Sequence, residues 1–293
     1  MANTQAEVEN CVLEHQGFAF HVRSLPGLDE TLTPIVCIGG AFQNIESWKT
    51  TVDYFQPERQ VLLMDLPGMG DSDWLPFSYG LDYLAGCIDS CLDWANVESA
   101  NILAASYGSL VTYRFAQLYP DRVARMALIG VMSHFREDLF QAAIAHINRV
   151  EAGVADFPAE CIGFLVSDAV RTKTRRGRAV AKMMRRRLED LSQSDIEKYI
   201  DNTRRLIYHE PLDLTDPPDV RALIFTGEHD QLTKPEWNRE VAAAIPGAVF
   251  TTVRNGDHLC HLEQFGTVSQ LISRFFDDEC LRSVKGCSDI EQF

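Results

Sequence analysis

The chain has 293 residues, of which 46% are hydrophobic and 24% charged, and its formal net charge is −15. This length suffices for one large α/β domain or for a core with an inserted subdomain, and the composition is that of a globular protein. The acidic balance argues against general nucleic-acid binding. No apolar run approaches the roughly 18 residues of a membrane-spanning helix.

The N-terminal residues and the cysteines indicate a compartment. The chain begins with the polar, acidic segment MANTQAEVEN, which lacks the basic and then apolar pattern of a secretory signal. The eight cysteines form no CxxC pair, and no cluster of further metal ligands accompanies them. We therefore expect a cytoplasmic protein with reduced thiols, no metal site and no cofactor.

Strands and helices are predicted to alternate along the first part of the chain. Residues 11–23 predict two short strands around a turn at Gln16-Gly17. Short apolar runs then predict buried strands, and periodic apolar residues predict helices. The strands are expected within 34–40, 60–73, 100–106 and 123–131, and the helices at 81–97 and 107–119.

The alternation stops between about residues 132 and 217, where the composition indicates helices only. It returns after the Pro-rich segment DLTDPPDV, with strands at 221–228 and 248–254 and helices at 235–244 and 267–277. Such alternation predicts parallel βαβ units with helices on both faces of a sheet. We expect an α/β core, 1–131 and 218–283, a helical cap insertion, 132–217, and a loosely ordered tail, 284–293.

A single serine, Ser106, separates a predicted strand from a predicted helix in ANILAASYGSL. A sharp turn there would lift its hydroxyl above the sheet, and such a turn requires small residues two positions before and after the serine. Ala104 and Gly108 meet this requirement, although the usual pattern has glycine in place of Ala104. The pattern favours a nucleophile, and a serine that only caps a helix is the alternative.

Two further residues complete a catalytic pattern. Asp230 follows the strand after the insertion, and His258 follows the last predicted strand of the core. Parallel strands gather their carboxyl ends at one edge of the sheet, and the order Ser, acid, His is that of a strand-borne triad. His258 would take the proton of Ser106, and Asp230 would orient and stabilise the imidazole. Surface-loop positions are the alternative for the acid and the histidine.

An oxyanion hole requires two backbone N–H donors near the nucleophile. Tyr107, the residue after the serine, would supply one donor, and the loop that follows the strand IVCIGG would supply the other. The best candidate there is Ala41, with Phe42 as the alternative, because glycines at 39 and 40 allow a close backbone approach. A simple glycine turn would explain the same residues.

These segments resemble the α/β-hydrolase fold. The matching pieces are IGGAFQNIESW, LLMDLPGMGDS, AASYGS, YPDRV, GEHD and GDHLCHLEQ, which together span about residues 30–275. The resemblance implies a mostly parallel twisted sheet flanked by helices, with an inserted helical cap. The serine argues against the dehalogenase and epoxide-hydrolase branches, whose nucleophile is an aspartate.

Within the fold, the chain is similar to the enzymes that make the hydroxyalkanoyloxyalkanoate precursor of rhamnolipids and to 3-hydroxyacyl-carrier-protein transacylases. The turn around the nucleophile, which we call the elbow, lacks its first glycine both in this chain and in those families. The segments GGA and MDLP of this chain correspond to their NGA and FDLP segments. Tyr107 and Ser109 depart from the Trp and Gly of those families. The likeness implies acyl-carrier-protein thioesters as substrates.

A basic stretch, 171–187, holds nine of the 27 basic residues and no acidic one. An acidic acyl carrier protein could dock there, with Arg185, Arg186 and Arg187 as candidate contacts. The alternatives are the solvated face of a helix, whose apolar stripe packs inward, and contact with anionic lipid.

Several other side chains are candidates for a substrate cavity, or else ordinary core residues. They are Phe42, Trp48, Phe135, Phe140 and His261. Glu263 is expected to hold the His258 loop in place.

The sequence thus predicts a serine acyl-transfer enzyme that forms an acyl-enzyme from a fatty-acyl ester or thioester and releases it to water. An acyltransferase that passes the group to a hydroxyl or thiol is the second hypothesis. The third, of another class, is a non-catalytic ligand receptor on the same fold.

Overall fold

The computed structural model describes residues 8–168, 170 and 174–293. Within these residues one sheet has nine strands in the order β1-β2-β4-β3-β5-β6-β7-β8-β9. The strands are β1 Glu9–His15, β2 Phe18–Leu25, β3 Ile35–Ile38, β4 Val61–Asp65, β5 Ala100–Ala105, β6 Val123–Ile129, β7 Arg221–Gly227, β8 Val249–Val253 and β9 Glu291–Gln292. Strands β3 to β8 run parallel, and β1, β2 and β9 are antiparallel to their neighbours.

Ten α-helices are described in the same residues. They are α1 Lys49–Phe55, α2 Leu81–Trp94, α3 Tyr107–Leu118, α4 Glu137–Glu151, α5 Phe157–Leu165, α6 Arg175–Glu189, α7 Gln193–Tyr208, α8 Pro235–Ala244, α9 Cys260–Glu263 and α10 Phe265–Phe276. None of the described helices is both long enough and apolar enough to cross a membrane.

Both faces of the sheet are covered because its central strands are apolar on both sides. In β4, Leu62 and Met64 belong to one core cluster, and Val61 and Leu63 belong to another, as the alternation of side chains along a strand requires. Helices α2, α3 and α8 pack on the first face, and α1 and α10 pack on the second. The continuous burial explains why these strands read as uninterrupted apolar runs.

Helices α4 to α7 lie between β6 and β7, and we call them the cap. The cap has its own apolar clusters, one mainly between α5 and α6 and one between α4 and α7. Helix α7 begins at a capping box, in which Ser192 and Asp195 each bond the other's backbone N–H. The cap is therefore held by its own packing as well as by contacts with the sheet.

The predicted fold class is confirmed, and the predicted strands and helices of the core lie within a few residues of the observed ones. The tail prediction is wrong. Phe293 accepts a hydrogen bond from Gly247 N (2.8 Å) and donates one to Ala248 O (3.0 Å), and β9 pairs with β8. The edge of β8 would otherwise leave backbone N–H and C=O groups unpaired, and the tail forms hydrogen bonds with them. These hydrogen bonds order the tail despite its polar composition. Residues 1–7, 169 and 171–173, the last of which belong to the basic stretch, lie outside the described residues.

Candidate active site

A strained turn between β5 and α3 presents the predicted nucleophile. Ser106 has a φ of +50°, a conformation that few residues other than glycine adopt, and its N–H donates to Ile129 O (2.7 Å). A Cβ atom at position 108 would lie 2.6 Å from the carbonyl oxygens of Ile38 and Gly39. Only glycine fits there, as the sequence pattern of a tight elbow requires.

The two departures from the usual elbow pattern are accommodated by burial and by a hydrogen bond. Ala104 is fully buried in the core cluster of the first sheet face, so its methyl group has apolar neighbours. The hydroxyl of Ser109, also buried, donates to Ile129 O (3.1 Å). The elbow is thus anchored to β6 at both Ser106 and Ser109.

The structure brings Ser106, His258 and Asp230 into one hydrogen-bonded chain. The Ser106 Oγ lies 2.9 Å from His258 Nε2, and His258 Nδ1 lies 2.9 Å from Asp230 Oδ2. Each residue follows a parallel strand, so the sheet topology places all three at its carboxyl edge. This arrangement can deprotonate a serine hydroxyl and stabilise the imidazolium that results.

The Asp230 carboxylate is completely buried and held by several donors. Its Oδ1 accepts from the backbone N–H of Leu232 and of Thr233, both at 2.8 Å. Its Oδ2 accepts from the hydroxyls of Thr226 and Thr233. Burial acts to raise the pKa of Asp230, but the charge and hydrogen bond of His258, with these hydroxyls, bring it below its usual value. The group is therefore ionised and fixed in orientation.

The imidazole of His258 responds to the same partner. Burial acts to lower its pKa, but the charge and hydrogen bond of Asp230 raise the pKa of His258 above its ordinary value of 6.5. A histidine with this shift is a stronger base, and its cation is stabilised when it accepts a proton.

A second layer of carboxyl groups holds the loop of His258. Asp257 accepts from His258 N (2.9 Å), and Glu263 Oε2 accepts from Asp257 N (2.6 Å). The expected role of Glu263 is confirmed by this bond. Burial raises the pKa of Glu263 to about 7. Asp257 also accepts from Ser167 N (2.6 Å), so the same loop is joined to the polypeptide between α5 and α6.

The two residues predicted to form the oxyanion hole, Ala41 and Tyr107, line the same cavity as Ser106. Tyr107 is the first residue of α3, and an N–H in the first turn of a helix has no intrahelical acceptor. Gln43 N donates to Gly40 O (3.1 Å), which closes a turn with Ala41 and Phe42 at its centre. The N–H of Ala41 takes no part in that hydrogen bond.

An apolar cavity of about 370 Å³ opens above Ser106. Three of the predicted substrate-binding residues, Phe42, Phe135 and His261, line it. Phe42 has a φ of +65° and stacks on Tyr199 of the cap with ring centroids 4.6 Å apart. Burial, together with the charge of His258, lowers the pKa of His261 to about 4, so this side chain is neutral.

The other two predicted substrate-binding residues lie elsewhere. Trp48 and Phe140 are not among the described residues that line the cavity. Trp48 is 2% exposed and packs in the core cluster of the second sheet face. Phe140 packs between α4 and α7, with its ring 6.3 Å from that of Tyr208. The prediction for these two was wrong because both serve apolar packing away from the site.

Sequence reasoning missed most of the cavity wall that the cap supplies. The apolar periodicity of the cap helices marks a buried face but does not say what that face meets. The cap residues on the wall are Leu139, Ala143, His146, Cys161, Phe164, Leu165, Met183, Met184, Arg187, Tyr199, Thr203 and Leu206.

The arginines proposed for partner docking point in different directions. Arg185 and Arg186 are exposed on α6, and Arg185 pairs with Glu189 of the same helix (2.8 Å). Arg187 is half-buried and lines the cavity, so it does not share the outward face predicted for it.

In the described part of the chain, no group of three or more His, Cys, Asp or Glu side chains is arranged to hold a metal ion.

A family model described as the alpha/beta hydrolase fold matches residues 33–265. The chain belongs to the alpha/beta hydrolase fold family. Solved structures of this fold superpose on most of the chain. The enol-lactonase of Burkholderia xenovorans has a TM-score of 0.78 at 20% identity and covers 91% of this chain and 100% of its own. A thermophilic esterase from Thermogutta terrifontis has a TM-score of 0.75 at 20% identity and covers 93% of this chain and 99% of its own.

Curated relatives of this alpha/beta hydrolase fold protein include hydrolases and an acyltransferase. The (R)-3-hydroxydecanoyl-ACP:CoA transacylase of Pseudomonas aeruginosa is 25% identical over 245 residues, 78% of this chain and 76% of the relative. The (E)-2-((N-methylformamido)methylene)succinate hydrolase of Acinetobacter baylyi is 28% identical over 123 residues, 42% of this chain and 47% of the relative. The chain spans less than half the length of the first curated relatives it matches, at 47%, 32% and 40%. The predicted family and the weaker transacylase likeness are confirmed.

Proposed function

We propose that the protein is a serine acyl-transfer enzyme that hydrolyses a fatty-acyl ester or thioester. Ser106 Oγ attacks the carbonyl carbon while its proton passes to His258 Nε2. The N–H groups of Ala41 and Tyr107 hold the developing oxyanion. The imidazolium then protonates the leaving alcohol or thiol, and the acyl group remains on Ser106 as an ester. Water attacks that ester with His258 as base, the acid departs, and the proton returns to Ser106.

The observation that carries this proposal is the Ser106–His258–Asp230 chain at the floor of an apolar cavity. The contacts are 2.9 Å at both links, and the carboxylate is completely buried. A chain with these distances has the geometry of a general base and its orienting acid. The apolar wall favours an acyl chain as the occupant, because its burial is stabilising by about 0.8 kcal/mol for each methylene.

Covalent labelling tests the nucleophile. A fluorophosphonate probe should label the wild type, and Ser106→Ala should abolish both labelling and hydrolysis of p-nitrophenyl esters. Ser78→Ala is the matched control, because Ser78 is exposed on the surface. A wild type that resists labelling and hydrolyses no acyl-CoA, acyl carrier protein or p-nitrophenyl ester would favour a ligand receptor on this fold.

Acyl transfer to a hydroxyl or thiol is the second candidate. The alignment with the Pseudomonas aeruginosa transacylase, which spans 78% of this chain, favours it. Under this proposal an acidic acyl carrier protein would meet the exposed Arg185 and Arg186. Mass spectrometry of the products from a 3-hydroxyacyl carrier protein separates the candidates. Free acid as the sole product would exclude transfer, and a product carrying the acyl group on an acceptor would exclude simple hydrolysis.

We also propose that the enzyme works in a reducing compartment, the cytoplasm. All eight cysteines lie among the described residues and are free thiols. Seven of the eight are buried or half-buried, and burial raises the pKa of Cys87 and of Cys91 to about 12, so these thiols are unreactive. Localisation of a tagged protein by cell fractionation tests this proposal.

A further inference from the structure

One charged group of the cavity wall has no role in the proposed chemistry. Arg187 comes from the last turn of α6 and lines the cavity that contains Ser106. Its Nη1 donates to Ser47 Oγ (2.8 Å), and its Nη2 donates to Asn44 Oδ1 (3.1 Å). Both acceptors are neutral. They lie on the segment between β3 and α1, so the guanidinium is held in place without being neutralised.

The charge of Arg187 is not matched by a close carboxylate within the described ranges. Among the described residues, no carboxylate oxygen lies within 4.0 Å of its guanidinium. Burial lowers the pKa of Arg187, and the more distant charges of Asp65 and Asp195 oppose that shift. Asp195 accepts from Ser192 N (3.0 Å), and Asp65 accepts from Ile45 N (2.8 Å). A half-buried guanidinium normally has an anionic partner, because desolvation of a lone charge is costly.

Arg187 lies near the mouth of the cavity. Glu46, Thr50 and Met183 line the same cavity and are exposed to solvent, which locates the opening beside them. Of the Asp, Glu, Lys and Arg residues, the described lining contains Arg187 and Glu46. Glu46 pairs with Arg23 at 2.8 Å. Arg187 is therefore the cationic group that a substrate meets on the way to Ser106.

A second cavity also borders Arg187, and the charges on its walls indicate in which of the two cavities an anion would lie. Its walls carry the carboxylates of Glu46, Asp71, Asp190 and Asp195 and one further cation, Lys198, so the excess of negative charge there would repel an anionic group. The walls of the first cavity are mainly apolar, and a charge–charge hydrogen bond is strong in such surroundings. An anion bound to Arg187 is thus favoured on the side that holds the nucleophile.

We infer that Arg187 binds an anionic group of the substrate, a carboxylate or a phosphate, while Ser106 attacks the acyl carbon. The inference rests on the proposed function and specifies its substrate class. A planar guanidinium that uses one donor each for Ser47 and Asn44 keeps further N–H groups for such an oxyanion. The anion can belong to the acyl chain, as in a half-ester of a dicarboxylic acid, or to the leaving group, as in a phosphorylated thiol.

Two matched pairs of substrates test the inference and separate the two sources of the anion. The first pair is the mono-p-nitrophenyl ester of a dicarboxylic acid and the same compound with its free carboxylate methylated. The second pair is S-acyl phosphopantetheine and S-acyl pantetheine, which differ by one phosphate. For each pair the measured quantity is the ratio of kcat/KM for the anionic member to kcat/KM for the neutral member.

The wild type should prefer the anionic member of one pair by about tenfold or more, the size expected for a charge-assisted hydrogen bond. Arg187→Gln should bring that ratio close to one. Arg187→Lys should give an intermediate ratio, because it keeps the charge and loses the planar fork. Lys182→Gln is the matched control, since Lys182 is exposed on the same helix, and it should keep the wild-type ratio.

The ratio also distinguishes recognition from a structural role. If Arg187 only ties α6 to the segment that follows β3, its loss slows both members of a pair alike and the ratio is unchanged, which overturns the inference. A ratio near one in the wild type for both pairs overturns it as well. Fluorophosphonate labelling of Ser106 and turnover of the neutral members test the proposed function separately. Failure of both would remove the proposed function and the inference with it.

Discussion

The carboxyl edge of the sheet and the cap face each other across one cavity and contribute different things to it. The sheet edge supplies Ser106, Asp230 and His258. Ser106 directly follows β5, and Asp230 and His258 lie in the loops that follow β7 and β8. The cap supplies an apolar wall and Arg187, and its next helix carries a second arginine, Arg205, which does not line the cavity. Arg187 of α6 is half-buried at the cavity, and Arg205 of α7 is 1% exposed.

The two arginines show how the cap differs from the sheet edge. Arg205 donates to the carbonyl oxygens of Leu75, Pro76 and Tyr79, to Asn202 Oδ1 and to the hydroxyl of Tyr107. Its charge is therefore used to attach the cap to the core, next to the elbow. Arg187 is left with neutral partners and faces the substrate cavity. The sheet edge fixes the reacting groups by strand geometry, whereas the cap is joined to the core by side-chain hydrogen bonds as well as by apolar packing.

The largest expected effect is at the sheet edge. Asp230→Asn should lower kcat by about 10³–10⁴-fold, because an amide can stabilise the wrong tautomer of His258 and carries no charge for the imidazolium. The amide oxygen can still accept from the backbone N–H groups of Leu232 and Thr233. Asp219→Asn provides the control, since Asp219 is exposed just before the opposite end of β7. A wild-type kcat in Asp230→Asn would contradict the comparison, in which the sheet edge carries the reacting groups and the cap binds the substrate.

The next effect is on the attachment of the cap. Arg205→Met should lower the free energy of unfolding by about 3 kcal/mol or more, because it leaves buried acceptors without donors. Urea denaturation measures this change. Arg204→Met is the neighbouring control, because Arg204 forms a more exposed ion pair with Glu151 (2.8 Å) and should cost less than about 1 kcal/mol. Equal losses in the two variants would mean that Arg205 is not what holds the cap.

The smallest effect is a shift of the pH profile. A general base must be neutral, and the pKa of His258 is raised above its ordinary 6.5, so kcat/KM should fall as the pH drops through a value above 6.5. Asp230→Asn removes the charge that raises this pKa, and its residual activity should keep its acidic limb at lower pH. The rate of fluorophosphonate labelling, measured against pH, gives the acidic limb of the wild type and that of Asp230→Asn. Coincident limbs would show that Asp230 does not tune the base.

The sequence predicted the core and the hydrogen-bonded chain well because these depend on local patterns. Apolar runs mark the parallel strands, and residues placed directly after them must meet at one sheet edge. Ser106 could be found since the small residues at 104 and 108 are required by the turn itself. The tail escaped prediction because the polar segment that contains β9 is ordered by pairing with a distant strand, which no local pattern records.

Side-chain direction escaped prediction for the same reason. Phe42 and Trp48 are close neighbours in the chain, yet Phe42 lines the cavity and Trp48 packs beneath the sheet. Likewise, Arg185, Arg186 and Arg187 are consecutive, and only the last points toward the cavity. Composition identifies such residues as apolar or basic, but their partners come from other elements.

The sequence by itself determined the fold class, the order of the core elements and the three residues of the hydrogen-bonded chain. Periodicity and strand ends are properties of contiguous residues, and the parallel topology then allows few arrangements. Only the tertiary structure decided which cap residues form the cavity wall, that Arg205 attaches the cap, and that Arg187 turns inward. Those outcomes depend on how α4 to α7 pack against the sheet edge, and that packing joins residues far apart in the chain.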